Sequence, residues 1–256
     1  MSNKKTQILK FLQALMIIAF GGLFLFLVVS ASLKQQDTIC TDIKYNIKNI
    51  KQFQFVKEAD LKRILHQGNE DNITYQKVEN INLKALEEKV EKNVFVDNAE
   101  VYLNFEGVLK VDVVQKIPLY RIINNNNVSY YISEKAHRIP LSTNFTPRLI
   151  VATGFIPDLE DISKDEINVN LKQLIDFIRA DKFWNAMIGQ VEVKQNKDFV
   201  LIPKLKGHTV LLGSVENLDE KFDKLGTFYK EALKRTDWTK YKEINLKFKG
   251  QLICSK

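Results

Sequence analysis

The stretch FLQALMIIAFGGLFLFLVVSASL, residues 11–33, carries no charged side chain in 23 positions between Lys10 and Lys34. Wound as a helix at about 1.5 Å per residue it reaches about 34 Å, enough to cross a hydrocarbon layer of about 30 Å with some tilt. Residues 11–33 are therefore predicted to form one transmembrane helix surrounded by membrane lipid. Lys4, Lys5 and Lys10 precede it without an acidic neighbour. Short positive flanks stay on the cytoplasmic side, so residues 1–10 are expected to be a cytoplasmic tail, with everything after residue 33 outside. Val29-Ser30-Ala31 offers small residues to a signal peptidase. The apolar core of a signal peptide runs only about 7–15 residues, however, and the longer run argues for a retained anchor.

The residues beyond the run are numerous enough for two domains with cores of their own. Of the net charge of +7, three units belong to the tail, and 32 Lys stand against 6 Arg. That excess is diffuse. A nucleic-acid interface would show clustered Arg and Lys with interleaved aromatics, and an outward topology also keeps the domains away from DNA, so no nucleic-acid partner is expected. Cys40 and Cys254 are the only cysteines. Their separation in sequence gives no reason to pair them, and free thiols are the favoured reading.

Residues 42–50 alternate Ile43, Tyr45 and Ile47 with polar neighbours, the period of a half-buried strand. Leu61, Ile64 and Leu65 then recur at helical spacing, with Gly68 as a stop. A second helix opens after Asn82 as cap and turns Leu83, Leu86 and Val90 to one side. Two alternating strands follow, Ala99 to Phe105 and Leu109 to Val113, joined by a turn at Glu106-Gly107. Beyond Pro118, short apolar runs at 119–123, 128–132 and 148–152 read as strands joined by hairpins, with Asn124-Asn125-Asn126-Asn127 as a loop tip. A helix over 164–180, three strands between 189 and 212, and a helix over 219–234 come next. Ile244, Leu246 and Phe248 alternate with polar residues in a closing strand that is expected to bury all three.

Hydrolysis or group transfer needs a nucleophile with its base, paired carboxylates, a metal cluster or a phosphate loop. None is legible. His66, His137 and His208 are isolated, no pair of cysteines has metal-ligand spacing, and neither G-x-S-x-G nor a Walker loop occurs. Asp158, Glu160, Asp161, Asp165 and Glu166 cluster ahead of a helix, where acidic residues cap its positive end. No catalytic residue, metal site, cofactor or small-molecule substrate is assigned. A binding or scaffolding role suits the chain better than an enzyme.

The stretch from Phe95-Val96-Asp97-Asn98-Ala99-Glu100-Val101-Tyr102 through Leu109-Lys110-Val111-Asp112-Val113-Val114-Gln115-Lys116-Ile117-Pro118-Leu119-Tyr120-Arg121 resembles the hairpin and proline exit of the POTRA domain in the FtsQ/DivIB family of bacterial cell-division proteins. Tyr130-Tyr131-Ile132 with Arg138-Ile139-Pro140-Leu141 is similar to that family's first β-domain hairpin. There Ser133-Glu134 and Ala136-His137 replace the usual aspartate and glycine. Pro147-Arg148-Leu149-Ile150-Val151-Ala152-Thr153-Gly154 resembles its strand ending in threonine-glycine, and Ile244-Asn245-Leu246-Lys247-Phe248 with Gln251-Leu252-Ile253 resembles its closing strands.

The resemblance implies an α+β chain: a transmembrane helix, a POTRA-like β-α-α-β-β domain over 42–117, and a larger, mostly antiparallel β domain with helices over 118–256. It further implies a non-enzymatic divisome scaffold at the septum of the bacterial inner membrane, bound to bitopic partners of the FtsB and FtsL type. The closing strands offer backbone groups for strand addition, which places the expected contact surface at Tyr241, Lys242, Ile244, Leu246, Lys247, Phe248, Gln251 and Leu252. Lys242, Lys247 and Lys249 serve there either as edge gatekeepers or to steer an acidic partner. The alternatives are a POTRA-bearing secretion or assembly factor, for which no repeated unit or barrel-length strand series is seen, and an anchored envelope enzyme.

Overall fold

A computed structural model describes residues 15–26, 39–49, 52–66, 73–159, 161–205, 207–231 and 240–256. The tail expected to be cytoplasmic, both ends of the apolar run with Ser30-Ala31, the Gly68 stop, Glu160 and the last turn of the helix predicted to reach residue 234 lie outside those residues. Residues 15–26, the middle of the apolar run, are helical (α1) and exposed at every position. Among the described residues no helix is long and apolar enough to cross a membrane.

Two compact units divide between Gln115 and Lys116, with residues 52–55 grouped with the second. The first is built on three strands, β1 (Asp42–Lys48), β2 (Val96–Leu103) and β3 (Val108–Gln115), in the order β1-β3-β2. β1 runs parallel to β3, which demands a long crossover, and two helices supply it. α2 (Glu58–His66) buries Leu61 and Leu65. α3 (Leu83–Glu91) buries Leu86 and Val90 and is capped by the Asn82 carboxamide, which accepts from the Ala85 amide at 3.0 Å. The β2–β3 hairpin closes through residues 104–107, where the Asn104 side chain accepts from the amides of Glu106 and Val108.

Nine strands among the described residues form the sheet of the second unit. β4 (Pro118–Asn124) and β5 (Ser129–Ser133) make an antiparallel hairpin over the asparagine run. Asn124 shapes that tip by accepting from the amides of Asn126 and Val128. β6 (Arg138–Ile139) pairs with β5 across a turn in which Ala136 takes φ 63° and the Ser133 hydroxyl accepts from the His137 amide. The residues that replace aspartate and glycine thus still close the turn.

β7 (Val151–Gly154) overturns the hairpin expectation, because it runs parallel to both β4 and β8 (Ile188–Val193). Parallel neighbours need crossovers. Residues 140–150 carry the chain from β6 to β7, and α4 (Glu166–Ala180) and α5 (Lys182–Met187) carry it from β7 to β8. Gly154, at φ 97°, closes β7 where a Cβ would collide with the Val193 carbonyl, so only glycine fits. The sheet is consequently mixed, with three of its eight strand pairings parallel and five antiparallel, and the α+β class stands.

β8 and β9 (Phe199–Pro203) are antiparallel, as are β9 and β10 (Thr209–Gly213). α6 (Leu218–Glu231) follows β10. The core is one cluster in which Leu171, Leu174, Ile175 and Ile178 of α4 and Phe222 and Leu225 of α6 meet Ile122, Ala152, Val191, Leu201, Val210 and Ile244 of the strands. The acidic cluster acts largely as caps and pairs. Asp161 accepts from the Ser163 amide, Asp165 caps α4 through the Asn168 amide, and Asp158 meets Arg138 at 2.7 Å.

Candidate partner-binding surface

The closing residues form two three-residue strands, β11 (Glu243–Asn245) and β12 (Ile253–Ser255). β11 lies parallel to β10 on one side and antiparallel to β12 on the other. The strand expected at the edge is therefore interior, and β12 ends the sheet. After Asn245 its own side chain accepts from the Lys247 amide, and Gly250 turns the chain back at φ 68°.

That early turn decides where the eight expected contact residues go. Ile244 and Leu246 are buried in the core at 1 % and 0 % exposure. They cannot touch a partner without unfolding. Phe248, expected to be buried with them, is 49 % exposed, because β11 ends before the alternation reaches it. Tyr241 is half-buried with its ring 6.0 Å from that of Phe228. Lys242 is exposed while its backbone is used on both sides, its carbonyl accepting from Thr209 and its amide donating to Ser255. Gln251 is exposed and Leu252 half-buried.

Lys247 is committed elsewhere, since its ammonium lies 2.7 Å from Asp198 and its stem crosses Gly213. It is not free to steer a partner. Lys224 of α6 does a similar job from below, donating to the carbonyls of Phe248 at 3.0 Å and Gln251 at 3.4 Å. Glu220, one turn earlier, accepts from the Gly250 amide at 3.2 Å, and that bond holds its carboxyl below the usual glutamate range, with Lys224 adding to the effect. Two charged residues of α6 thereby fix the turn that leads into β12.

Between α6 and β12 lies a groove of about 630 Å³, lined by Asp223, Thr227 and Phe228 on the helix and by Gly250, Leu252 and Cys254 opposite. Ile253, on the other face of β12, is 45 % exposed. Burial pushes the Cys254 thiol up, so it stays protonated and poorly nucleophilic. Both cysteines are free. Cys254 and the α6 side of the groove were not singled out from the sequence, and Ile253 entered only as part of the closing-strand resemblance, not among the expected contact residues. The apolar positions of α6 pointed to its buried face only, and Cys254 offered no pattern.

The remaining sheet edges differ in how well they are closed. β2 is an edge of the first unit, but Glu87 and Glu91 of α3 accept from the amides of Val101 and Ala99 at 3.1 and 3.5 Å. Carboxylates there take up donors that an added strand would need. β6 is two residues long and is followed by Pro140. Of the second unit's two ends, β12 combines a strand edge with an adjoining apolar groove.

Among the described residues, no group of three or more His, Cys, Asp or Glu side chains could hold a metal ion. His208 is buried with its Nε2 2.7 Å from the Tyr229 hydroxyl, a packing contact in the core.

The family model described as FtsQ/DivIB, C-terminal related, matches residues 117–255, more than half of the chain. The model described as POTRA-like domain matches residues 38–114. No curated protein matches the chain. Both matched domains are non-catalytic in kind.

Proposed function

The chain belongs to the FtsQ/DivIB family, which makes it a cell-division protein in kind, and from that premise we propose that it is a non-enzymatic, single-pass scaffold of the divisome. In this reading residues 1–10 are cytoplasmic and 11–33 span the inner membrane. Residues 42–117 and 118–256 stand outside it at the septum as a POTRA-like domain and a partner-binding domain. Its partners are bitopic division proteins of the FtsB and FtsL type, and through them it regulates septal peptidoglycan synthesis.

The observation that carries the reading is the edge of β12 beside the α6 groove. A partner segment added as a tenth strand of this sheet would gain main-chain hydrogen bonds from β12. Its alternate side chains would enter the groove against Phe228 and Leu252, the arrangement by which strand addition obtains affinity and specificity together. Phe248 and Ile253 offer apolar area at the rim without belonging to the buried core.

Photo-crosslinkers at Ile253 and Ser255 in live cells are expected to capture small bitopic division proteins. Phe248→Glu and Ile253→Glu are expected to fold, to lose recruitment of those partners, and to produce filamentous cells. Normal recruitment by both folded variants, with no division protein captured at either position, rejects the β12 surface.

A further inference from the structure

At one end of the first unit three separate segments meet. The Thr41 amide donates to the Gly107 carbonyl at 2.9 Å, the Tyr75 amide to the Cys40 carbonyl at 2.7 Å, and Ile39 bridges Lys77. Because Asp42 is in register with Val108, the β2–β3 tip lies beside the point where the chain enters the unit. Three side chains at this end are exposed although their chemistry favours burial: Phe105 at 104 %, Tyr75 at 80 % and Ile39 at 46 %. Hairpin tips ordinarily take Gly, Asn, Asp or Pro. A fully exposed phenylalanine there gains nothing from the fold.

The covalent path supplies the occupant. Only six positions separate Leu33, the last residue of the apolar run, from Ile39, a reach of at most about 20 Å. This end of the unit is therefore the one leashed to the bilayer, if the run spans it as argued above. Tyrosine and tryptophan concentrate where membrane meets water, and phenylalanine rings of interfacial segments sink into the boundary between headgroups and acyl chains. The nearby charges do not form a basic patch: Lys77 lies 3.8 Å from Glu79, Glu106 is engaged by the Asn104 carboxamide, and Asp42 accepts from the Ile43 amide. Attraction to anionic headgroups is not what would hold such a surface.

We propose that Phe105, with Tyr75 and Ile39, seats this end of the POTRA-like unit in the headgroup zone of the bilayer that holds the anchor. The contact is apolar and aromatic, so it fits zwitterionic and anionic lipids alike. Its effect is to restrict the unit's orientation on a tether that would otherwise let it tumble.

The test uses the full chain in phosphatidylcholine nanodiscs, with the emission of the unaltered chain, which carries Trp184 and Trp238, subtracted as background. Phe105→Trp changes no buried contact, and Phe24→Trp reports on the apolar run itself. The added Phe105→Trp emission is expected to be blue-shifted and quenched by phosphatidylcholine brominated high on its acyl chains, equally with and without anionic lipid. A second probe, Tyr75→Trp, is expected to behave the same way. If Phe24→Trp is quenched while the Phe105→Trp and Tyr75→Trp emissions stay water-like, the anchor stands and this inference is overturned. Quenching of none of the three overturns the anchor reading and the inference with it. Quenching at Phe105 only when anionic lipid is present overturns the apolar mode of contact.

Discussion

Glu220 ties the last turn of the chain to α6 through a single charged acceptor, and the sign of its pH dependence follows from that geometry. The Gly250 amide donates to the ionised carboxyl, so its pKa in the fold lies below the ordinary glutamate value. A depressed carboxyl contributes stability that is present above its unfolded pKa and is lost as pH falls through the folded one. Protection of the Gly250 amide from hydrogen exchange is therefore expected to be constant at neutral pH and to fall only on the acid side, as the pH drops below the ordinary glutamate range. In Glu220→Gln the acceptor remains but cannot titrate, so the acid-side loss should vanish; an unchanged loss would mean another group controls the turn. Lys224 is anchored to two carbonyls of the same segment. Neither residue was distinguishable in the sequence from any other i, i+4 pair on a helix surface.

At the scale of elements, α5 shows how much a short helix owes to one residue. Six residues are too few to be helical alone, since nucleation costs more than so few bonds return. The Asp181 carboxylate accepts from the amides of Phe183 and Trp184 at 2.7 and 3.0 Å, and Trp184 then packs 5.0 Å from the Phe222 ring. Asp181→Ala is expected to cost about 1 kcal/mol in denaturant titration and to shift Trp184 emission to the red, with Asp181→Asn retaining most of both. Loss of stability without any spectral change would place the effect elsewhere than the cap.

The long helices were legible because their apolar residues repeat at three and four over many positions, and Asn82 announced its own cap. Strand direction was not legible in the same way. Alternation reports which face of a strand is buried and says nothing of the neighbour's orientation, which is why Val151–Gly154 was read as a hairpin partner. The eleven residues between Ile139 and Val151, with Pro140 and Pro147 among them, are too many for a tight hairpin and were the available signal. Phe248 failed similarly: its period matched Ile244 and Leu246, but β11 ends at Asn245, before the alternation reaches it. Part of the expected contact surface therefore belongs to the core, and in the proposed surface groove residues from α6 take its place.

For the whole molecule, chain order and unit order differ at one point. Residues 52–55 sit between elements of the first unit in sequence yet pack with the second. Phe55 is 1 % exposed, with its ring 5.8 Å from that of Phe145 and 6.0 Å from that of Tyr131, and the Asn144 carboxamide donates to its carbonyl at 3.1 Å. Phe53 adds an edge contact to Phe145 at 6.5 Å. Tyr131 belongs to β5 and is 1 % exposed, on the face opposite the helix-facing Tyr130 and Ile132. Removing the phenylalanine would open a cavity against it, and truncations of buried phenylalanine cost about 3–5 kcal/mol. Phe55→Ala in the full chain is accordingly expected to lower hydrogen-exchange protection of the β4 and β5 amides by that order. A fragment covering 116–256 should show the same loss even though it contains all twelve of its own unit's remaining elements from β4 to β12 and α4 to α6. If β5 keeps its protection in both, the aromatic cluster is not what closes that face. If it loses protection in both, a stable form of the second unit has to begin before Phe53, at a position the sequence boundary near Pro118 does not reveal.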